Sequence, residues 1–472
     1  MKTIYLSAWD NISLIAYAIL VIYIAFRASK KTNTADEKDF LLANRSLSIP
    51  AFVATLVTTW YGGILGIGEF AYRFGISVWL VFGMPYYIFA ILFAFLIAAK
   101  IRQSDQFTIA DIFYTRHNRS VGVLGSIFLL FMTTPAPYIL MIAVLLQAIF
   151  GWSLINSLLI GTIMSSAYVL LGGFRSVIQT DKFQFILIYT AFIIIIIFLM
   201  AEHGGLSFLK QRLTPLQLSW HGGNSLQYLI VWFFLASWTF IDPGFHQRCS
   251  AAKTLGTAKK GILISILFWF IFDFLTISTG LYAAALIKGI NPMLSYPMLA
   301  DLVLPPFLKG FFLVGLLAVI MSTIDSFTLL SAITFGRDLV WRLGKSKEPM
   351  VSVYTRIGLV ITSLISVFLC LLFPSVIKLW YTIGSLCIPP MLLPVLTAYF
   401  PKYKISAQFT FRIMIISFAV SFFSFTWGQL HFNGNTPNYP LGLEPFLPGL
   451  LISIILYLTY YWISTNPSRP QN

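Results

Sequence analysis

Ser322, Thr323, Asp325 and Ser326 stand together in a stretch, Phe311 to Phe335, that is otherwise mostly apolar. Ser322, Asp325 and Ser326 are spaced i, i+3 and i+4 and so fall on one helix face. An Asp at the centre of a membrane helix costs about 3 kcal/mol on insertion scales, and a charge kept there has a use. Hard oxygens converging in a dry place are what a small hard cation needs in exchange for its water shell. A lone hydroxyl more often bonds back to its own helix. A Ser-Thr-x-Asp-Ser cluster reads instead as a cation site inside a membrane.

Three further carboxylates lie at or near membrane depth: Glu69, Asp181 and Asp273. Asp181 follows Gly172-Gly173-Phe174-Arg175 at the head of a new apolar run, where it either caps a helix or handles a cation. Glu69 precedes Arg73 by four residues, as a surface pair or as a counter-charge for a solute amine. Asp273, set among Trp and Phe residues, is expected to hydrogen-bond another helix.

Two apolar spans are interrupted, one at Tyr61-Gly62-Gly63 with Gly66 and Gly68 beyond, the other at Asp242-Pro243-Gly244. Unwound turns expose carbonyls to a cation, and half-helix N-termini can face an anion. Trp60, Trp238, Phe245 and Tyr381 are the aromatic groups expected beside a solute, together with Thr58, Gly62, Gly63 and Asp242 at the breaks. The Thr134-Pro135-Ala136-Pro137-Tyr138 kink supplies a further wall through Tyr138.

The elements that must position these groups are membrane helices. The chain has 472 residues, 58% of them hydrophobic and 10% charged, with a mean hydropathy of +0.84. No soluble domain of this size has that composition; the expected fold is an all-α polytopic membrane protein. Thirteen apolar spans are expected at about 10–27, 48–72, 77–99, 121–149, 153–171, 181–202, 225–245, 261–287, 307–335, 353–374, 377–399, 407–428 and 447–464. With the N-terminus outside, 24 of the 31 Lys and Arg fall on inner loops, so the N-terminus is expected outside and the C-terminus inside. The net charge of +15 is therefore topological, and no nucleic-acid partner is implied. The first span lacks a cleavage site and is expected to remain as a helix. Three scattered cysteines and five histidines form no ligand-spaced set, which argues against a metal centre or an enzyme. No repeated polar stripe suggests a channel.

The whole chain, 1–472, reads as one transporter domain, because its loops are short. Broken helices at matching places in two halves point to an inverted repeat with its site at the breaks. The expected parts are a leading helix at 10–27, a first repeat at 48–202, a second at 225–399 and trailing helices at 407–464.

The chain resembles the sodium:solute symporter family from about Asp39 to Lys402. The resemblance is carried by Asp39-Phe-Leu-Leu-Ala-Asn-Arg45-Ser, Gly172-Gly-Phe-Arg-Ser-Val-Ile-Gln-Thr-Asp181-Lys-Phe-Gln184, Asp242-Pro-Gly-Phe-His-Gln-Arg248 and Ala318-Val-Ile-Met-Ser-Thr-Ile-Asp-Ser326 with Arg337-Asp338. It implies a LeuT-type 5+5 core and sodium-coupled symport of a small organic solute by alternating access. It also implies a sodium site made by the carbonyls of Leu56, Thr59 and Val319 and the hydroxyls of Ser322 and Thr323. A second site, for sodium or a proton, is implied at Asp181, Ser322, Asp325 and Ser326, with Asp325 standing where that group usually has a hydroxyl. Gly62 and Gly63 replace polar residues of the sugar branch, which favours an amino acid, amine or carboxylate over a sugar. Phe245 is the expected gate, and compact loops suggest a bacterial inner membrane. The rival readings are proton coupling through Asp325 or Asp181, and a sensor acting with a separate partner.

Overall fold

The computed structural model describes residues 4–33, 36–104, 106–166, 169–344, 351–434 and 436–465. Its principal helices are α1 (Ala8–Ser29), α2 (Ile49–Trp60), α3 (Ile64–Phe74), α4 (Met84–Leu96), α5 (Ile109–Arg116), α6 (Arg119–Met132), α7 (Ala136–Phe150), α8 (Leu154–Ser166) and α9 (Val169–His203). The second half holds α10 (Leu226–Leu235), α11 (Pro243–Ala251), α12 (Leu255–Leu286), α13 (Leu308–Ile333), α14 (Val351–Leu372), α15 (Val376–Tyr399), α16 (Ala407–Leu430) and α17 (Phe446–Thr465). Among the described residues, 12 helical segments are long and apolar enough to cross a membrane. The remaining expected span, 153–171, is represented by the shorter α8, and residues 167 and 168 within it lie outside the described set.

The two expected breaks are present. Between α2 and α3 the chain tightens into a 3-10 turn at Tyr61–Gly63. A Cβ at Gly62 would lie 1.9 Å from Thr323 Oγ1, and one at Gly63 would lie 2.1 Å from the Trp380 ring, so only glycine admits both neighbours. In the second half α10 passes through a 3-10 segment, Ala236–Ile241, to an extended Asp242. The Asp242 carboxylate accepts from Phe245 N at 2.9 Å and caps α11, which starts on Pro243.

Three local readings change. The seventh span does not stop near 245 but continues through α11, so Arg248 belongs to no inner loop and is fully buried. Asp181 is no first-turn cap: α9 bends at Gly173 (φ 53) and Asp181 sits two turns further on. The span expected at 121–149 is two helices, α6 and α7, parted at the Pro135 kink. Outside the bundle, the 203–225 segment carries a short helix, Leu206–Arg212. Near the C-terminal end β1 (Phe432–Asn433) pairs antiparallel with β2 (Thr436–Pro437); Asn435 lies outside the described residues.

The core centres on α9 packed against α13, with α2 held between α12 and these two. The helices α1, α14, α16 and α17 leave large apolar side chains such as Ile15, Leu364, Phe423 and Leu458 exposed, as lipid-facing helices do. One end of the bundle is closed by charge. Arg337, just past α13, donates to Asp111 of α5 at 2.8 Å and to Asp338 at 2.7 Å, and pairs with Glu37; Arg342 pairs with Asp111 as well.

Candidate ion and solute site

Where α13 crosses the broken segment, Thr323 Oγ1 donates to Thr59 O at 2.7 Å and lies 3.2 Å from Val319 O and 3.4 Å from Thr58 O. Three of the five oxygens expected at the first cation site, those of Thr59, Val319 and Thr323, therefore converge. Leu56 lies one turn back on α2, beside the cavity described below. Ser322 turns the other way, donating to Asp181 Oδ1 at 2.6 Å, while Thr55 donates to Asp181 Oδ2. The donors are carbonyls and hydroxyls, a set that suits a hard monovalent ion. No group of three or more His, Cys, Asp or Glu able to hold a metal occurs among the described residues.

Of the second expected set, Asp181, Ser322 and Ser326 share one locus beside the first, and Asp325 is buried within electrostatic reach of the Tyr17 hydroxyl on α1. A group not expected there joins them. Arg248 Nη2 donates to Thr59 Oγ1 at 2.7 Å, Thr55 Oγ1 at 2.9 Å and Ser326 Oγ at 3.0 Å, and lies 3.9 Å from Asp181 Oδ2. The signal was available in the sequence: Arg248 follows the break at Asp242-Pro243-Gly244 by little more than one helical turn.

A cavity with about 860 Å³ of empty space, counted to its open mouth, lies between the two breaks. Of the residues expected at the solute, Trp60, Gly63, Tyr138, Trp238, Asp242 and Phe245 line it. Its walls are aromatic: Trp60 packs edge-on against Tyr86 at 4.5 Å and Phe245 at 6.0 Å between ring centroids. Four residues expected at the solute stand outside the lining. Thr58 bonds back to Ala54 O at 2.9 Å, Gly62 packs on Thr323, and Glu69 pairs with Arg73 at 3.0 Å. Tyr381 stacks on Tyr228 at 5.7 Å, so its neighbour Trp380 reaches the cavity instead. Residue spacing placed α15 correctly but not the rotation that selects 380 over 381. Tyr86, Phe82, Trp232 and Phe327 also line the cavity and carried no distinguishing signal in so aromatic a chain.

Buried Asp273 meets the broken helix from α12. Tyr61 donates to its Oδ1 at 2.5 Å and Tyr87 to its Oδ2. The hydrogen bond expected for this residue thus reaches two other elements.

Discontinuous helices around a central cavity, with carbonyl and hydroxyl oxygens converging at the break, are the architecture of a secondary transporter. Residues 40–416 match the sodium:solute symporter family, and the chain belongs to that family. It is similar to a sodium/pantothenate symporter of Haemophilus influenzae, 26% identical over 93% of this chain and 96% of that protein. It is also similar to a sodium/pantothenate symporter of Escherichia coli, 27% identical over 94% of each. Among solved structures, an outward-open Na+-coupled sialic acid symporter superposes with a TM-score of 0.79 at 16% identity, over 99% of both chains. A nucleobase-cation-symport-1 family transporter in a closed conformation superposes at 0.61 with 13% identity, over 92% of this chain and 96% of that one. The fold is the LeuT type, with one leading and two trailing helices around the 5+5 core. The chain is an integral membrane, sodium-coupled symporter of a small organic solute and not an enzyme.

Proposed function

We propose that the solute is a small amine-bearing organic molecule, zwitterionic or quaternary, held between the two breaks. One observation carries this: Asp242, itself 5% exposed, lines the aromatic-walled cavity, with Arg248 also in the lining. Aromatic faces and one acid are the combination that recognises an alkylammonium group. Trp238, on the same wall, has an indole N–H without a partner among the described residues and offers a donor to a solute carboxylate.

Sodium is the cargo ion at Leu56, Thr59, Val319 and Thr323, with Ser322 joining them by rotating away from Asp181. It braces α13 against the broken α2–α3 helix and completes the wall formed by Trp60 and Gly63. Phe245, packed between Trp60 and Trp269, acts as the gate on the side of the Arg337 cluster. Loss of sodium frees the brace and lets α11 swing. One sodium moving down about 100 mV and a tenfold gradient supplies about 3.7 kcal/mol, or roughly 500-fold accumulation of a neutral solute. The repeats run 48–202 and 225–399 in a bilayer, with the N-terminus outside and the C-terminus inside a bacterial cytoplasmic membrane.

Thermal unfolding of the purified protein against a solute library, in sodium and in potassium, tests the reading. Stabilisation by an amine-bearing solute in sodium alone is expected, since a shared site links the two affinities. Stabilisation by pantothenate or a sugar, with none by amines, overturns the solute class and leaves the sodium coupling standing.

A further inference from the structure

Asp273 is a buried acid that the sodium and solute sites do not use. It is 4% exposed, and among the described residues no Lys, Arg or His lies within ion-pair distance of it. Its carboxylate fits against Gly83, where a Cβ would lie 2.7 Å from Oδ2. Four phenols lie within its electrostatic reach: Tyr61 from the first break, Tyr87 from α4, Tyr189 from α9 and Tyr296 from the short helix Ser295–Val303. Two of them are spent elsewhere, Tyr189 donating to Phe268 O at 2.7 Å and Tyr296 to Thr276 O at 2.8 Å. Tyr87 donates to Oδ2. Tyr61 has one proton and two acceptors in reach, Asp273 Oδ1 at 2.5 Å and Trp269 O at 2.8 Å.

That surplus acceptor gives the site two complete bonding patterns. With Asp273 ionised, Tyr61 and Tyr87 both donate to the carboxylate. With Asp273 protonated, Oδ1–H donates to the Tyr61 oxygen, the Tyr61 proton turns to Trp269 O, and Tyr87 still donates to Oδ2. No donor is stranded in either pattern. A carboxylate without a cation is costly in so dry a place, and taking up a proton removes the cost.

We propose that Asp273 is a proton site read by the broken helix, so that sodium binding and proton release are coupled although the two ions share no ligand. The inference rests on the sodium reading of the first site. Tyr61 lies two residues beyond Thr59, whose carbonyl accepts from Thr323 at that site. The ionised acid holds Tyr61 by a charge-assisted bond, stronger than a neutral one, and so fixes the break in the form that sodium needs. Protonation weakens that hold. By linkage, sodium lowers the affinity for the proton by the factor by which the proton lowers that for sodium.

The experiment follows a pH indicator as sodium is added to the purified protein in weakly buffered detergent, beside sodium titrations of thermal stability at about pH 5.5 and about pH 8.5. Wild type is expected to release protons on adding sodium but not potassium, and to bind sodium roughly tenfold more weakly at the acid pH. Asp273→Asn, whose amide can donate to Tyr61 as the protonated acid does, should release none and bind sodium weakly at both pH values. Tyr61→Phe keeps the acid but cuts the link, and should release none either. Release that persists in a folded Asp273→Asn or Tyr61→Phe protein overturns the assignment, because the protons then come from another group. Equal sodium affinity at both pH values in wild type, without proton release, overturns the proposal whether or not the variants fold. Stability that ignores sodium at both pH values overturns the first-site reading, and this inference with it.

Discussion

Asp273 shows how one residue can hold a moving part. Its carboxylate is buried, and it is engaged by the phenols of Tyr61, in the break, and Tyr87, on α4. The Tyr61 hydroxyl also lies 2.8 Å from Trp269 O, so its position is fixed from two points on α12. Removing that hydroxyl leaves a buried carboxylate short of a donor, which costs about 1–3 kcal/mol. Tyr61→Phe is therefore expected to lower the thermal unfolding temperature, and to do so more than Asp273→Asn, which removes the buried charge itself. Unchanged stability in Tyr61→Phe would mean that the phenol contributes no net bond there. Residue identity made Asp273 visible in the sequence. Its partners were not visible, because they lie 212 and 186 positions away.

At the scale of elements, the break between α2 and α3 is built by what packs on it. Gly62 admits Thr323 and Gly63 admits Trp380, so the turn fits against α13 and α15 like a key into its wards. Gly62→Ala would place a methyl 1.9 Å from Thr323 Oγ1 and must displace that hydroxyl from Thr59 O. At least a tenfold loss of apparent sodium affinity is expected, about 1.4 kcal/mol, read from the sodium dependence of uptake. Thr323→Val, which keeps the side-chain shape, should lose as much. Gly256→Ala is the control, since its methyl would meet only Thr254 Oγ1 at 3.7 Å. Equal sodium affinity in wild type and Gly62→Ala would detach the break from the ion site.

Across the whole molecule, the ion-pair cluster around Arg337 ties α5 and the segment of Glu37 to the far end of α13. It joins parts that must separate for the cavity to open at that end. Burial pushes the Asp111 carboxyl up, but Arg337 and Arg342 pull it down by more, so it ends below the usual carboxylate range. A depressed acid stabilises the folded state above its ordinary value near 3.9, and that contribution is lost as pH falls through the lowered one. The Asp111 pairs should therefore hold at neutral pH and weaken only in strong acid. Arg337→Gln breaks it at any pH and is expected to speed hydrogen–deuterium exchange across Ile109–Arg116. Unchanged exchange there would show that the cluster does not hold this end closed.

Much of this protein was determined by the sequence alone, because a bilayer imposes strong local rules. Apolar length fixed the spans, glycine and proline marked both breaks and the Pro135 kink, and the Ser-Thr-x-Asp-Ser run marked the stretch of α13 that meets the first break. Those signals are carried by neighbours along the chain. Which hydroxyl faces which helix depends instead on the rotation of packed helices, and that is a tertiary property. Only the folded structure turned Ser322 toward Asp181 and Thr323 toward Thr59, and chose Trp380 over Tyr381. It also carried Arg248 from an expected loop into the core. A loop cation and a buried one look alike in sequence; they differ in what the rest of the chain brings around them.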